Sequence, residues 1–139
     1  MDIKTIYEDN DVVVIDKPAN LLVHPVQNEK DTLIDILRTK YPQAKLVHRL
    51  DRDTSGLMVV AKNEKAYEFL KNQFENRTIK KKYLALTCGA LKDKRGIIAK
   101  SISKSRKRGG SQTIAPIGRM REAITRYEVI EEYPHYSLL

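Results

Sequence analysis

From Ile3 to Asp16 the chain is rich in β-branched residues, alternates imperfectly, and is broken by the polar run Glu8–Asp11. That pattern predicts a β-hairpin. "DKPANLLVHP", Asp16–Pro25, carries two prolines and Asn20, which tolerates left-handed dihedrals, so it reads as a loop. Next comes an apolar face at Leu33, Ile34 and Leu37, with Asp31 placed as N-cap and Pro42 closing the segment. A helix from Asp31 to about Lys40 follows, because proline disfavours helical dihedrals at Tyr41. Leu57–Ala61, "LMVVA", predicts a buried strand. Asn63 then caps a second helix whose apolar stripe is Ala66, Phe69, Leu70 and Phe74.

Beyond that helix the pattern changes to strands at Tyr83–Thr87, Ile97–Ile102, Ile114–Ile117 and Thr125–Ile130. "KSISKSRKRGGSQ", Lys100–Gln112, is a basic loop rich in Gly and Ser. No internal repeat or linker divides the chain. The order of elements predicts one α+β domain, a mostly antiparallel mixed sheet flanked by two helices.

At 139 residues the chain is long enough to bury a sizeable core. Its longest apolar runs, Val12–Ile15 and Leu57–Ala61, are too short for a membrane helix or a signal-peptide core. The single cysteine, Cys88, lies in the apolar "YLALTCG" and has no partner for an intramolecular disulfide. It reads as a reduced, buried thiol in a cytoplasmic protein.

The formal charge of +8 is unevenly spread. Residues 1–70 hold 10 Lys/Arg against 12 Asp/Glu, and residues 71–139 hold 16 against 6. Within Lys71–Arg108, 13 basic residues face only Glu75 and Asp93. Such asymmetry points to a polyanionic partner, RNA or DNA, with a merely solvated basic surface as the alternative.

"LVHRLDRDTSGLMVVAK", Leu46–Lys62, sets His48, Arg49, Asp51, Arg52 and Asp53 directly before the apolar strand. Asp51–Gly56 opens like an EF-hand loop, but Lys62 stands at position 12, where a bidentate glutamate is needed. His24, His48 and His135 lack metal-ligand spacings and the thiol is alone, which argues against zinc. Ser55, His48 and Asp51 or Asp53 are too close in sequence for triad geometry, and there is no G-x-S-x-G elbow or phosphate-binding P-loop. What remains is a carboxylate at the mouth of a strand, with Arg49 and Arg52 keeping it ionised or holding phosphates. The structural alternative, an Asp that closes a turn through backbone amides, stays open for both Asp51 and Asp53.

"HRLDRDTSGLMVVAK" closely resembles the central motif of the RluA-type RNA pseudouridine synthases. "DKPANLLVHP" resembles that family's D-K-P-x-G-L-x-V-H-P, and "KKKYLALTCG", Lys80–Gly89, its K-x-Y-L-A-L-x-x-G. The three occur in the family's order, and the resemblance spans roughly Ile6 to Leu139. It implies a bent, mostly antiparallel sheet, an RNA substrate (ribosomal or transfer RNA), and no cofactor or metal. Asp51 falls at the catalytic aspartate and Tyr83 at the active-site tyrosine. A base must leave its helix to react, and Tyr83 would stack against it. Arg49, Arg52, Lys80, Lys81, Lys82, Lys104, Arg106, Lys107 and Arg108 would grip phosphates. His48 reads as a structural hydrogen-bonder.

Two departures stand out. Asn20 replaces the family's usual Gly, a change that left-handed dihedrals accommodate. The family's T-G-R-x-H-Q-I-R-V-H segment, whose arginine pairs with the catalytic aspartate, is absent, and the chain stops at "YPHYSLL". The expectation is therefore a catalytic domain over residues 1–139 lacking its C-terminal part, weak as an enzyme alone. No S4-like N-terminal domain precedes it, and an exposed sheet edge would favour dimerisation. The competing reading is a basic RNA-binding module without catalysis; a DNA binder is disfavoured because no basic recognition helix is evident.

Overall fold

The computed structural model describes residues 2–26, 31–104, 112–113 and 121–139. It comprises two compact units, Met1–Lys80 and Lys81–Leu139.

In the first unit, β1 (Lys4–Glu8) and β2 (Val12–Lys17) form the expected hairpin. Its turn is tied by Asp9, whose Oδ1 accepts from the amides of Asp11 (2.8 Å) and Val12 (2.7 Å), the usual reason for Asp at such a position. Helix α1 (Leu33–Lys40), β3 (Lys45–Leu46), β4 (Gly56–Ala61) and α2 (Glu64–Glu75) follow. The sheet is antiparallel in the order β1-β2-β4-β3. Val13 pairs with Val60 and Ile15 with Met58. These four side chains are buried with Leu21, Val23, Leu33, Ile34, Leu37, Ala44 and Leu50. β4 is buried unevenly: Met58 and Val60 on one face are fully buried, while on the other Ala61 is buried, Val59 half-buried and Leu57 exposed. The strand's two-residue period sends successive side chains to opposite faces.

Helix α1 begins one residue later than expected. Thr32, not Asp31, is the N-cap, and the Asp35 carboxylate accepts from the Thr32 amide (3.1 Å) and hydroxyl (2.6 Å). The Thr-x-x-Asp spacing supplies one arm of a capping box, and Asp31 sits before it at φ 65°. In α2, Asn63 Oδ1 accepts from the Ala66 amide at 2.9 Å, as expected of the cap. The stripe is only partly realised, however. Ala66 is buried, Leu70 and Phe74 are half-buried, and Phe69 is 67% exposed.

The second unit contains β5 (Leu86–Cys88), β6 (Arg95–Lys104), β7 (Gln112–Thr113), β8 (Arg121–Glu128), β9 (Glu131–Glu132) and β10 (Tyr136–Leu138). Two antiparallel sheets result, β5-β10-β9 and β7-β6-β8. The α+β class is borne out, with the strands divided among three sheets and both helices in the first unit. The strand expected at Tyr83–Thr87 instead covers Leu86–Cys88, so Tyr83 precedes it. Cys88 is exposed rather than buried. It shares a strand face with exposed Leu86, whereas half-buried Thr87 points the other way and donates to Ser137 O. The expected strand Ile114–Ile117 lies outside the described residues.

Candidate active site

Asp51 lies between β3 and β4, on a segment anchored by buried Leu50. On either side of Leu50 the charged residues Arg49, Asp51, Arg52 and Asp53 are exposed, and the Asp51 side chain is 86% accessible. The amide of Thr54 donates to Asp51 O at 3.1 Å, making a tight turn beneath the carboxylate. Arg49 Nη2 stands 3.9 Å from Asp51 Oδ1, an attraction across exposed solvent rather than a locked pair.

Beneath this turn is a residue that sequence reading did not single out. Lys17 ends β2 with no accessible surface, and its ammonium donates to the carbonyls of Pro18 (2.8 Å), Leu21 (2.9 Å) and Arg52 (3.0 Å). Burial pushes its pKa below the usual lysine value, opposed by the attraction of Asp53 and then Asp51. Three acceptors match the three donors of an ammonium, so the buried charge is fully hydrogen-bonded. The period-two row Val13, Ile15, Lys17 carried the signal, because the third member falls on the core face of β2. Two more bonds join the same loops: Leu21 N donates to Arg52 O (3.2 Å), and Arg52 Nε to Asn20 Oδ1 (3.0 Å). Asn20 holds φ 62°, so it takes the left-handed conformation expected of it. The "DKPANL" loop thereby clamps the backbone next to Asp51.

His48 has a structural role, as expected. Its Nε2 accepts from the Val59 amide at 3.2 Å, and its ring stacks on Phe74 with centroids 4.5 Å apart. Arg49, Asp51 and Arg52 thus share one loop of the first unit. Lys80 closes that unit, while Lys81, Lys82 and Tyr83 open the second, all four exposed, Tyr83 by 59%. Lys104 is the last residue of β6. Arg106, Lys107 and Arg108 lie outside the described residues. No group of three or more His, Cys, Asp and Glu side chains that could hold a metal ion occurs among the described residues.

The model of the RNA pseudouridylate synthase family matches residues 11–139. The chain is 35% identical over 149 residues to an uncharacterized RNA pseudouridine synthase, YlyB, of Bacillus subtilis, covering 100% of this chain and 48% of that protein. It is 38% identical over 152 residues to ribosomal large subunit pseudouridine synthase D of Nitrosomonas europaea, covering 99% of this chain and 41% of that protein. Among solved structures, human RNA pseudouridylate synthase domain containing 1 superposes with a TM-score of 0.82 at 25% identity, over 99% of this chain and 57% of that one. The chain therefore spans about half the length of the relatives it matches. With three RluA-type motifs in order, two of them hydrogen-bonded to each other around Asp51, the chain belongs to the RNA pseudouridylate synthase family.

Proposed function

We propose that this chain carries the catalytic aspartate of an RNA pseudouridine synthase, Asp51, acting on uridines of ribosomal or transfer RNA in the cytoplasm. The supporting observation is an accessible carboxylate on a backbone fixed from below by the buried Lys17 ammonium. A reacting carboxylate needs both properties, reach toward the substrate and a position that does not drift. In the isomerisation the uridine N1–C1′ bond breaks, the base turns, and a C5–C1′ bond forms. The C5 proton leaves and N1 gains one, so the reaction balances without an external redox partner. Attack on C1′, attack on C6 and removal of the 2′ proton all use a carboxylate beside the sugar. Tyr83 stacks on the extruded base, which offsets part of the few kcal/mol that unstacking costs. Arg49, Arg52, Lys80, Lys81, Lys82, Lys104, Arg106, Lys107 and Arg108 hold the phosphates. Residues 1–139 form part of the catalytic domain, without its C-terminal part, and self-association runs through the exposed apolar strands of the second unit.

Release of tritium from RNA labelled at uridine C5 tests the reading. In a chain carrying the complete C-terminal region, Asp51→Asn is expected to lower turnover by roughly 10²–10⁴-fold or more while RNA affinity stays within a few-fold, because binding rests on the basic residues. Turnover that survives the substitution removes Asp51 from this role. RNA binding without any tritium release, by a chain carrying the complete C-terminal region, would favour the module without catalysis.

A further inference from the structure

In the first unit an open cavity of about 310 Å³ lies between α1, β3 and α2, with a lining that does not include Asp51. Three of its lining side chains are basic or protonatable: His24, Arg38 and Lys45. Ile34 and Leu46 contribute apolar wall, and the Tyr67 ring supplies an aromatic one. The first unit as a whole is close to neutral, 13 Lys/Arg against 13 Asp/Glu over residues 1–80, so this grouping of cations is local. Among the described residues no carboxylate lines the cavity. Arg38 is oriented by its Nε, which donates to Ala44 O at 3.4 Å. Lys45 pairs with Glu64 outside the lining and stands 5.0 Å from the Tyr67 ring centroid. Lys71 approaches the same ring at 5.7 Å.

An anion alone needs cations, and an apolar ligand alone needs the greasy wall; this cavity offers both beside an aromatic ring. Its volume falls at the small end of ligand sites, where one nucleotide fits and a second does not. We infer that the cavity binds a single nucleotide of the RNA, its phosphate at Arg38 and Lys45 and its base against Tyr67 and the apolar wall. Two chain segments connect it to the candidate active site. The loop whose Leu21 hydrogen-bonds to Arg52 continues directly to His24, and Leu46 lies five residues before Asp51. Five residues span at most ~18 Å, so an oligonucleotide seated at Asp51 reaches the cavity with a nearby nucleotide. The cavity would then read a residue flanking the target uridine. This part of the inference rests on the proposed function; nucleotide binding itself does not.

Proton NMR of the 139-residue chain, titrated separately with uridine 5′-monophosphate, uridine and inorganic phosphate, tests the binding. The monophosphate is expected to shift the Tyr67 ring and His24 imidazole signals and to bind at least tenfold more tightly than uridine or phosphate. Arg38→Gln and Lys45→Gln should each weaken it about tenfold, the usual effect of losing one charge-assisted contact. Asp51→Asn should leave it unchanged. Tyr67 signals that do not move, or phosphate binding as tightly as the nucleotide, would overturn the inference, and backbone spectra of the variants establish that they remain folded. The second arm is the tritium-release assay. There Arg38→Gln and Lys45→Gln should raise KM for RNA severalfold with kcat within twofold, and an unchanged KM overturns the flanking-nucleotide role. If a chain carrying the complete C-terminal region releases no tritium while the titration succeeds, the catalytic reading fails and the nucleotide cavity stands.

Discussion

Lys17 and Asp51 lie on opposite sides of one short backbone segment. The ammonium holds the Arg52 carbonyl from inside the core, and the carboxylate projects into solvent one residue earlier. Asp53 and Asp51 both favour the charged form of Lys17, against the desolvation that lowers its pKa. Lys17→Met keeps most of the buried stem but removes the ammonium from the carbonyls of Pro18, Leu21 and Arg52, of which Arg52 O keeps the Leu21 amide as a donor. Stability should fall by about 2–4 kcal/mol, read as a lower urea midpoint at constant m. The loop's grip on Asp51 should weaken as well, so activity should fall further than Asp53→Asn causes. A Lys17→Met chain with an unaltered urea midpoint would show that the three carbonyls find equivalent partners without the ammonium.

The hairpin β1-β2 is tied to the end of α1 and the start of α2 by one exposed cluster. Glu8 accepts from Tyr41 Oη at 2.6 Å, Lys62 Nζ at 2.9 Å and Lys40 Nζ at 3.3 Å. These hydrogen bonds, from Tyr41 first and Lys62 next, lower the Glu8 pKa to about 2. A carboxyl group depressed in the folded state contributes its stability above the unfolded value, near 4.3, and loses it as the pH falls toward 2. Glu8→Gln should therefore destabilise the chain at pH 7 and flatten its acid unfolding between about pH 4.5 and 2; identical curves for the two proteins exclude the linkage. Nothing in the local pattern announces this cluster, because Glu8, Tyr41 and Lys62 come from distant segments. Legibility follows the same division elsewhere. The hairpin, α1 and the Asn63 cap were readable because period and capping are local properties. Phe69 on the apolar stripe of α2 and Cys88 in its apolar run are both exposed, since apolar spacing marks a face without saying what covers it. Asp51 was readable through its motif, while Lys17, a charge on a core face, needed the three carbonyls to be seen around it.

At the scale of the whole molecule, charge and exposed apolar surface belong largely to the same unit. Most of the positive excess falls after residue 70, and a polyanion should be held there with strong salt dependence. Replacing Lys104, Arg106, Lys107 and Arg108 by Gln should weaken binding across unrelated RNA sequences. If those residues make four phosphate contacts, the log–log salt slope falls by roughly three; an unchanged slope makes them a solvated surface. The apolar part has a different consequence. In the β6–β8 pair, Ala99 sits opposite Ile124, and Ile97 lies two residues before Ala99 on the same face, so exposed Ile97 and Ile124 form one patch. β5 is an edge strand of its sheet, with Leu84 and Leu86 also exposed. An exposed apolar face, or an apolar strand that forms a sheet edge among the described residues, is a surface on which a second copy can pair. Sedimentation velocity at micromolar concentration should therefore show self-association that persists in high salt, since apolar contacts are not screened as ion pairs are. Ile97→Lys with Ile124→Lys should return the chain to monomer with an unchanged circular dichroism spectrum. Two results count against this surface: a monomeric unaltered chain, or association that disappears with salt while surviving the double substitution.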